Sequence, residues 1–264
     1  IRFILGFFVM IGALMFLGCP IRMILRLGGG DLNALFGIAG FAGGIGFGTI
    51  FLKKGYSLQR TYALSKLESA MMPAIQVGLL VLLVTAPAFI FFSQKGPGAM
   101  HAPWLISLAA GLVVGGLSQF SRLCTVGGFR DLFLFKKSIL IFGYLAVLIG
   151  VFVVNISFGN FHLGFENQPI AHTDGLWNFL GMALAGFCSV LLGGCPLRQL
   201  IMTGEGNSDS AVTVLGLAAG AAFAHNFGLA ASGAGPTLNG EIAVGVGFVV
   251  AFIIAVLNTK RSNA

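Results

Sequence analysis

Two of the four cysteines in this chain open the same five-residue pattern, Gly18-Cys19-Pro20-Ile21-Arg22 and Gly194-Cys195-Pro196-Leu197-Arg198. Proline has no N–H to donate and is best tolerated in the first turn of a helix. Pro20 and Pro196 are therefore expected to start helices, and Gly18 and Gly194 to permit the bend before them. Cys19 and Cys195 then sit at helix N-termini, where unpaired N–H groups and roughly half a positive charge face whatever lies ahead. An anion is the natural occupant of such a place, and the same field favours thiolate over thiol. Arg22 and Arg198 follow within one turn and add positive charge. The alternative is a proline kink, glycine packing and an arginine that reaches for the interface; two copies in one pattern favour the site.

Other residues could join this chemistry. The run Arg122-Leu-Cys124-Thr-Val-Gly-Gly-Phe-Arg130-Asp131 reads equally as a mouth thiol among cations or as a basic loop with an incidental cysteine. Arg130 and Asp131 are expected to pair with each other. Glu205 is expected to pair with Arg198, and Asp209 to cap the helix that follows. Cys188 reads as a small buried hydrophobe, and His225 as a packed histidine. His101, His162 and His172 lie in or near connecting segments and point to no chemistry. No cysteine pair has zinc spacing and no cofactor motif survives: Gly44-Ile-Gly-Phe-Gly48 mimics a dinucleotide loop but lies in an apolar span with no strand before it. No metal and no cofactor are expected.

The elements that position these residues are legible from hydropathy. Only 9% of the 264 residues are charged and 57% are hydrophobic, with a mean hydropathy of +0.96. Apolar stretches run over about 3–17, 32–52, 71–93, 104–120, 138–157, 175–193, 211–232 and 241–257, most of them near the roughly 17–25 residues that cross a bilayer as helix. The fold expected is all-α: a polytopic membrane bundle with re-entrant half-helices at the two prolines. Strands are excluded by the absence of period-2 alternation. Residues 1–19 mimic a lipoprotein signal, but the same Leu-Gly-x-Cys recurs at 192–195, so a membrane helix is preferred. The net charge of +7 implies topology rather than nucleic acid, because lysine and arginine gather at 53–66, 121–137 and the C-terminus. Basic loops stay cytoplasmic, which places those three regions inside and 94–103, 158–174 and 233–240 outside.

The two cysteine blocks align at an offset of 176 residues, and the same offset pairs Gly28 with Gly204, Gly30 with Gly206, Gly40 with Gly216, Gly44 with Gly220 and Phe47 with Phe223. An odd number of crossings separates the copies, so the second is inverted relative to the first. Inverted halves, about 1–93 and 104–257 of a single transmembrane domain, are a transporter architecture with its site at the midplane. The Cys124 motif has no first-half partner, because the equivalent position falls before Ile1. A longer natural chain, with that N-terminal part missing here, is the expectation.

The spacing from Arg122-x-Cys124 through Arg130-Asp131 to Gly194-Cys195 resembles the YeeE/YedE sulfur-transport family. The stretch "GCPLRQLIMTGEGNSDS" resembles its selenium-transport branch. The resemblance implies an inner-membrane protein of inverted repeats shaped like an hourglass. It implies uptake of thiosulfate or a related sulfur or selenium species, passed between cysteines by weak S–H···S contacts. It assigns Cys19 and Cys195 to the central positions and Cys124 to the mouth of the second half, on the cytoplasmic side. It also implies a cytoplasmic TusA-like sulfur carrier as partner. The Pro-x-Arg after each central cysteine departs from the thiosulfate-importing members.

The function expected is import of a small sulfur- or selenium-containing anion across a bacterial inner membrane. The path is Cys19, Cys195, Cys124, Arg22, Arg198, Gly18, Gly194, Pro20 and Pro196, with Arg122, Arg130, Asp131 and Glu205 in support. The competing expectation is a membrane persulfide or selenium carrier, or a sulfurtransferase, working through a covalent cysteine adduct. No patterned base accompanies any cysteine, which favours transport over an enzyme.

Overall fold

A computed structural model describes residues 1–58, 66–86 and 102–259, with isolated positions between 86 and 102. The expected features at Arg60, most of 94–103, Lys260 and Arg261 lie outside the described residues. Eleven helices make up the described chain: α1 (Arg2–Phe16), α2 (Pro20–Gly28), α3 (Asn33–Lys53), α4 (Lys66–Thr85), α5 (Trp104–Ser121), α6 (Thr125–Phe135), α7 (Ile139–Ser157), α8 (Gly175–Leu192), α9 (Pro196–Gly204), α10 (Ser208–Asn226) and α11 (Leu238–Leu257). Six helical stretches are long and apolar enough to cross a membrane; three of these, Arg2–Gly28, Trp104–Phe135 and Gly175–Gly204, each contain a long helix followed by a short one. The chain is an all-α, multi-pass membrane protein. Helices suit a bilayer because they satisfy every backbone polar group internally.

The eight apolar stretches correspond to α1, α3, α4, α5, α7, α8, α10 and α11. Two connections differ from expectation. Residues 121–137 are not a loop but hold the eleven-residue α6, and α11 begins at Leu238, inside the segment read as external.

Helix α8 is the centre of the bundle, buried almost continuously from Gly181 to Leu192. It runs antiparallel to α1: His172, just before α8, bonds the carbonyl of Met15 at the far end of α1 (2.8 Å), and Gly181 lies on Gly12 and Met15. Helix α3 flanks α8 and α10 flanks α1, and glycines set both distances. A Cβ on Gly40 or Gly44 would strike the carbonyl oxygen of Phe179 or Ala183, and one on Gly216 or Gly220 would strike that of Phe3 or Phe7. Each contact of the second pair is one of the first displaced by 176 residues. Small residues let backbones approach this closely in a bilayer, where lipid gives no hydrophobic drive to association. Helices α5 and α7 instead present apolar side chains outward, Phe120 being 90% exposed and Ile139 77%. A water-soluble domain rarely exposes such faces; lipid accommodates them.

Candidate functional site

The prolines start helices as their chemistry requires. Helices α2 and α9 are both nine residues long, begin at Pro20 and Pro196, and have Cys19 and Cys195 as N-caps in nearly the same extended conformation (φ −76°, ψ 170° and φ −72°, ψ 165°). Each follows a left-handed residue two positions before the cysteine, Leu17 (φ 62°) and Gly193 (φ 82°). That residue ends the preceding helix and redirects the chain.

A third break has the same form. Arg122 ends α5 in the left-handed region (φ 52°), Cys124 follows two residues later, and α6 begins at once. The Cys124 sulfur caps its helix by accepting from the Gly127 N–H at 3.3 Å. Cys19, Cys124 and Cys195 are thus all N-caps of short helices. The sequence reading recognised two of these, because Cys124 is followed by threonine rather than proline and lies among basic residues.

The structure departs from the expectation of a mouth thiol. Cys124 is 9% exposed, and its thiol faces that of Cys195, itself 1% exposed, within hydrogen-bonding reach. Thr125 lies on the other side of the Cys195 sulfur. Cys19 is half-buried. The Tyr144 side chain, on α7, is in electrostatic range of both Cys19 and Cys195. Phe16, Met23, Phe41, Ile45 and Met182 pack around the Cys124–Cys195 pair. Cys188 is fully buried in a separate cluster, because α8 ends before Cys195.

The paired arginines occupy equivalent positions but different surroundings. Arg22 folds back over Gly18, where a Cβ would come within 2.8 Å of its Cδ, and its Nε has no hydrogen-bond partner. Arg198 lies similarly over Gly194, but its Nη1 donates to Gln119 Oε1 on α5 (2.8 Å) and its Nη2 is 3.8 Å from Glu205. Arg130 pairs with Asp131 (2.8 Å). Arg122 is exposed at its turn. Asp209 does not cap α10; Asn207 does, accepting from the Ser210 N–H, while Asp209 pairs with Arg2 at 2.8 Å.

Sequence reasoning missed the brace on α2. Arg26 donates from Nε to Asp31 (2.6 Å) and from Nη1 to the Phe16 carbonyl, and its guanidinium lies 4.0 Å from the centre of the Phe16 ring. Asp31 also accepts from the backbone and side-chain N–H groups of Asn33. A charged pair five residues apart was the available signal. His172, on the same side, is buried, and burial lowers its pKa despite the bond to Met15.

Two polar cavities flank this centre. One, of about 420 Å³, is lined by Arg22, Arg26, Asn155, His162 and Gln168 among others. The second, of about 540 Å³, is lined by Arg2, Arg130, Gly193, Gln199 and Asp209 among others. The first adjoins the segment leading into α8 and the second the end of α8, so a helix roughly 27 Å long separates their levels. Neither lining includes a cysteine.

A family model described as "Sulphur transport" matches residues 120–259, which carry Cys124, α6 and the whole of the α8–α9–α10 unit. No curated protein and no solved structure matches the chain.

Proposed function

The chain belongs to the sulphur transport family, and from that premise we propose that it imports a small sulfur- or selenium-containing anion, thiosulfate-like in form, through a constriction lined by Cys19, Cys124 and Cys195. The observation that carries this reading is the convergence of the cysteine-capped helices: two thiols face one another, and the third shares Tyr144 with them. Helix tips supply partial positive charge for an anion, and thiols supply soft contacts for terminal sulfur or selenium. The polar cavities at opposite ends of α8 serve as vestibules, and Arg22 adds charge to one of them. The mirrored glycine contacts and equal half-helices support two inverted halves, about 1–93 and 104–257, with α2 and α9 re-entrant. Basic segments place the C-terminus in the cytoplasm of a bacterial cell whose inner membrane holds the protein. A TusA-like carrier receives the sulfur there.

The test is uptake of labelled thiosulfate in a strain lacking other importers. Cys195→Ala is expected to lower uptake at least about ten-fold, equivalent to about 1.4 kcal/mol, and Cys19→Ala to lower it less. Intact uptake in both variants and their combination, at normal expression, overturns the thiol role.

The facing Cys124 and Cys195 thiols favour one second reading, a persulfide carrier. A cysteine thiolate attacks the outer sulfur of thiosulfate, an S–S bond forms, and sulfite leaves with the electron pair of the broken bond. Mass spectrometry after thiosulfate exposure distinguishes the two: a stable adduct of one sulfur atom on Cys124 or Cys195 supports the carrier.

A further inference from the structure

Thr125 and Tyr144 present two buried hydroxyls that the packing leaves unused. Thr125 is 1% exposed, and neither its Oγ1 nor the Tyr144 Oη has a hydrogen-bond partner. Most buried polar groups in proteins are paired, so each exception calls for a reason. Elsewhere in this chain hydroxyls in helices bond back along their own helix: Thr49 to Gly46, Ser157 to Val153, Thr203 to Gln199 and Thr213 to Asp209. Thr125 cannot do so, because it is the first residue of α6 and the chain turns at Arg122 just before it. Tyr144 carries its hydroxyl at the end of a rigid ring, held edge-on by Phe129, beyond reach of its own backbone carbonyls. Four buried hydroxyls lack partners among the described residues, those of Tyr56, Thr125, Tyr144 and Ser189. Two of the four belong to residues at the thiols.

We infer that Thr125 and Tyr144 donate hydrogen bonds to the oxygen atoms of the transported anion while the cysteine thiols hold its sulfur or selenium end. This rests on the transport reading above and narrows it. A ligand made of sulfur alone gains nothing from two hydroxyl donors. An anion with one soft end and one oxygen end uses both groups of residues. Neutral donors also suit passage: binding must be firm enough to admit the ion and weak enough to release it, and an arginine at the same place would hold it too tightly.

The test uses the chain in proteoliposomes with labelled thiosulfate, comparing wild type, Tyr144→Phe, Thr125→Val, Thr125→Ser and Cys195→Ala, each with its melting temperature in detergent. Tyr144→Phe and Thr125→Val are expected to raise KM about ten-fold each with an unchanged or higher melting temperature, since each removes an unpaired buried hydroxyl. Thr125→Ser is expected to restore KM. Unchanged KM in both Phe and Val variants, alongside lost uptake in Cys195→Ala, overturns this inference and leaves the transport reading standing. A rise in KM accompanied by a fall in melting temperature marks a structural role and also overturns it. No thiosulfate uptake by wild type overturns both readings.

Discussion

The tips of α2 and α9 share a pentapeptide pattern, a helix length and a cap conformation, yet one is braced from within and the other covered from outside. At α2, Arg26 and Asp31 form a buried pair that also grips the Phe16 carbonyl, and Cys19 stays half-buried. At α9 the equivalent residues are Met202 and Asn207, which form no such pair. There Arg198 reaches across to Gln119, and α6 lays Cys124 and Thr125 against Cys195. The same local sequence therefore yields the same backbone, and the neighbours decide what each thiol meets.

The largest expected effect breaks the brace. Asp31→Asn or Arg26→Met alone strands a buried charge and is expected to cost about 3–5 kcal/mol, read as a lowered melting temperature. Making both changes at once gives α2 the residue types that α9 carries and is expected to recover most of the loss. A double variant no better than the singles contradicts the comparison.

Next is the packing that the two halves share. Gly44→Ala and Gly220→Ala each drive a Cβ into a neighbouring backbone carbonyl, and each is expected to destabilise by about 1–3 kcal/mol. Similar costs at the two positions sharpen the likeness; a cost at one alone breaks it.

Accessibility separates the tips more gently. A membrane-impermeant thiol reagent is expected to modify Cys19 about ten-fold faster than Cys195, since reactivity follows exposure. Peptide mapping after timed labelling reads the ratio, and equal rates count against the cover over Cys195.

The smallest effect concerns pH and belongs to the α2 side. Burial lowers the His172 pKa, so the unfolded chain, titrating near 6.5, binds a proton that the folded chain resists. The stability this neutral histidine contributes is complete above about pH 6.5 and declines as pH falls below it. His172→Gln is expected to flatten that part of the melting-temperature profile between about pH 5 and 7; an unchanged slope rejects the assignment.

Much of this arrangement could be read before any coordinates. Hydropathy over windows of about twenty residues marks helices that cross lipid. Proline after glycine and cysteine fixes the starts of α2 and α9 to the residue, because a missing N–H and a locked φ are local properties. The glycine matches at a constant offset located the closest backbone contacts, since only a residue without a Cβ fits there. Tertiary structure alone decided the rest. Helix α6 hid among Arg122, Arg130, Lys136 and Lys137, because charge at a membrane edge looks the same in a loop and in a short helix. That Cys124 meets Cys195 across 71 residues of chain, that Arg198 is partnered while Arg22 keeps an unpaired Nε, and that Thr125 and Tyr144 are left with idle hydroxyls are all facts about neighbours. Burial and pairing arise between distant segments, and no local pattern of residues specifies them.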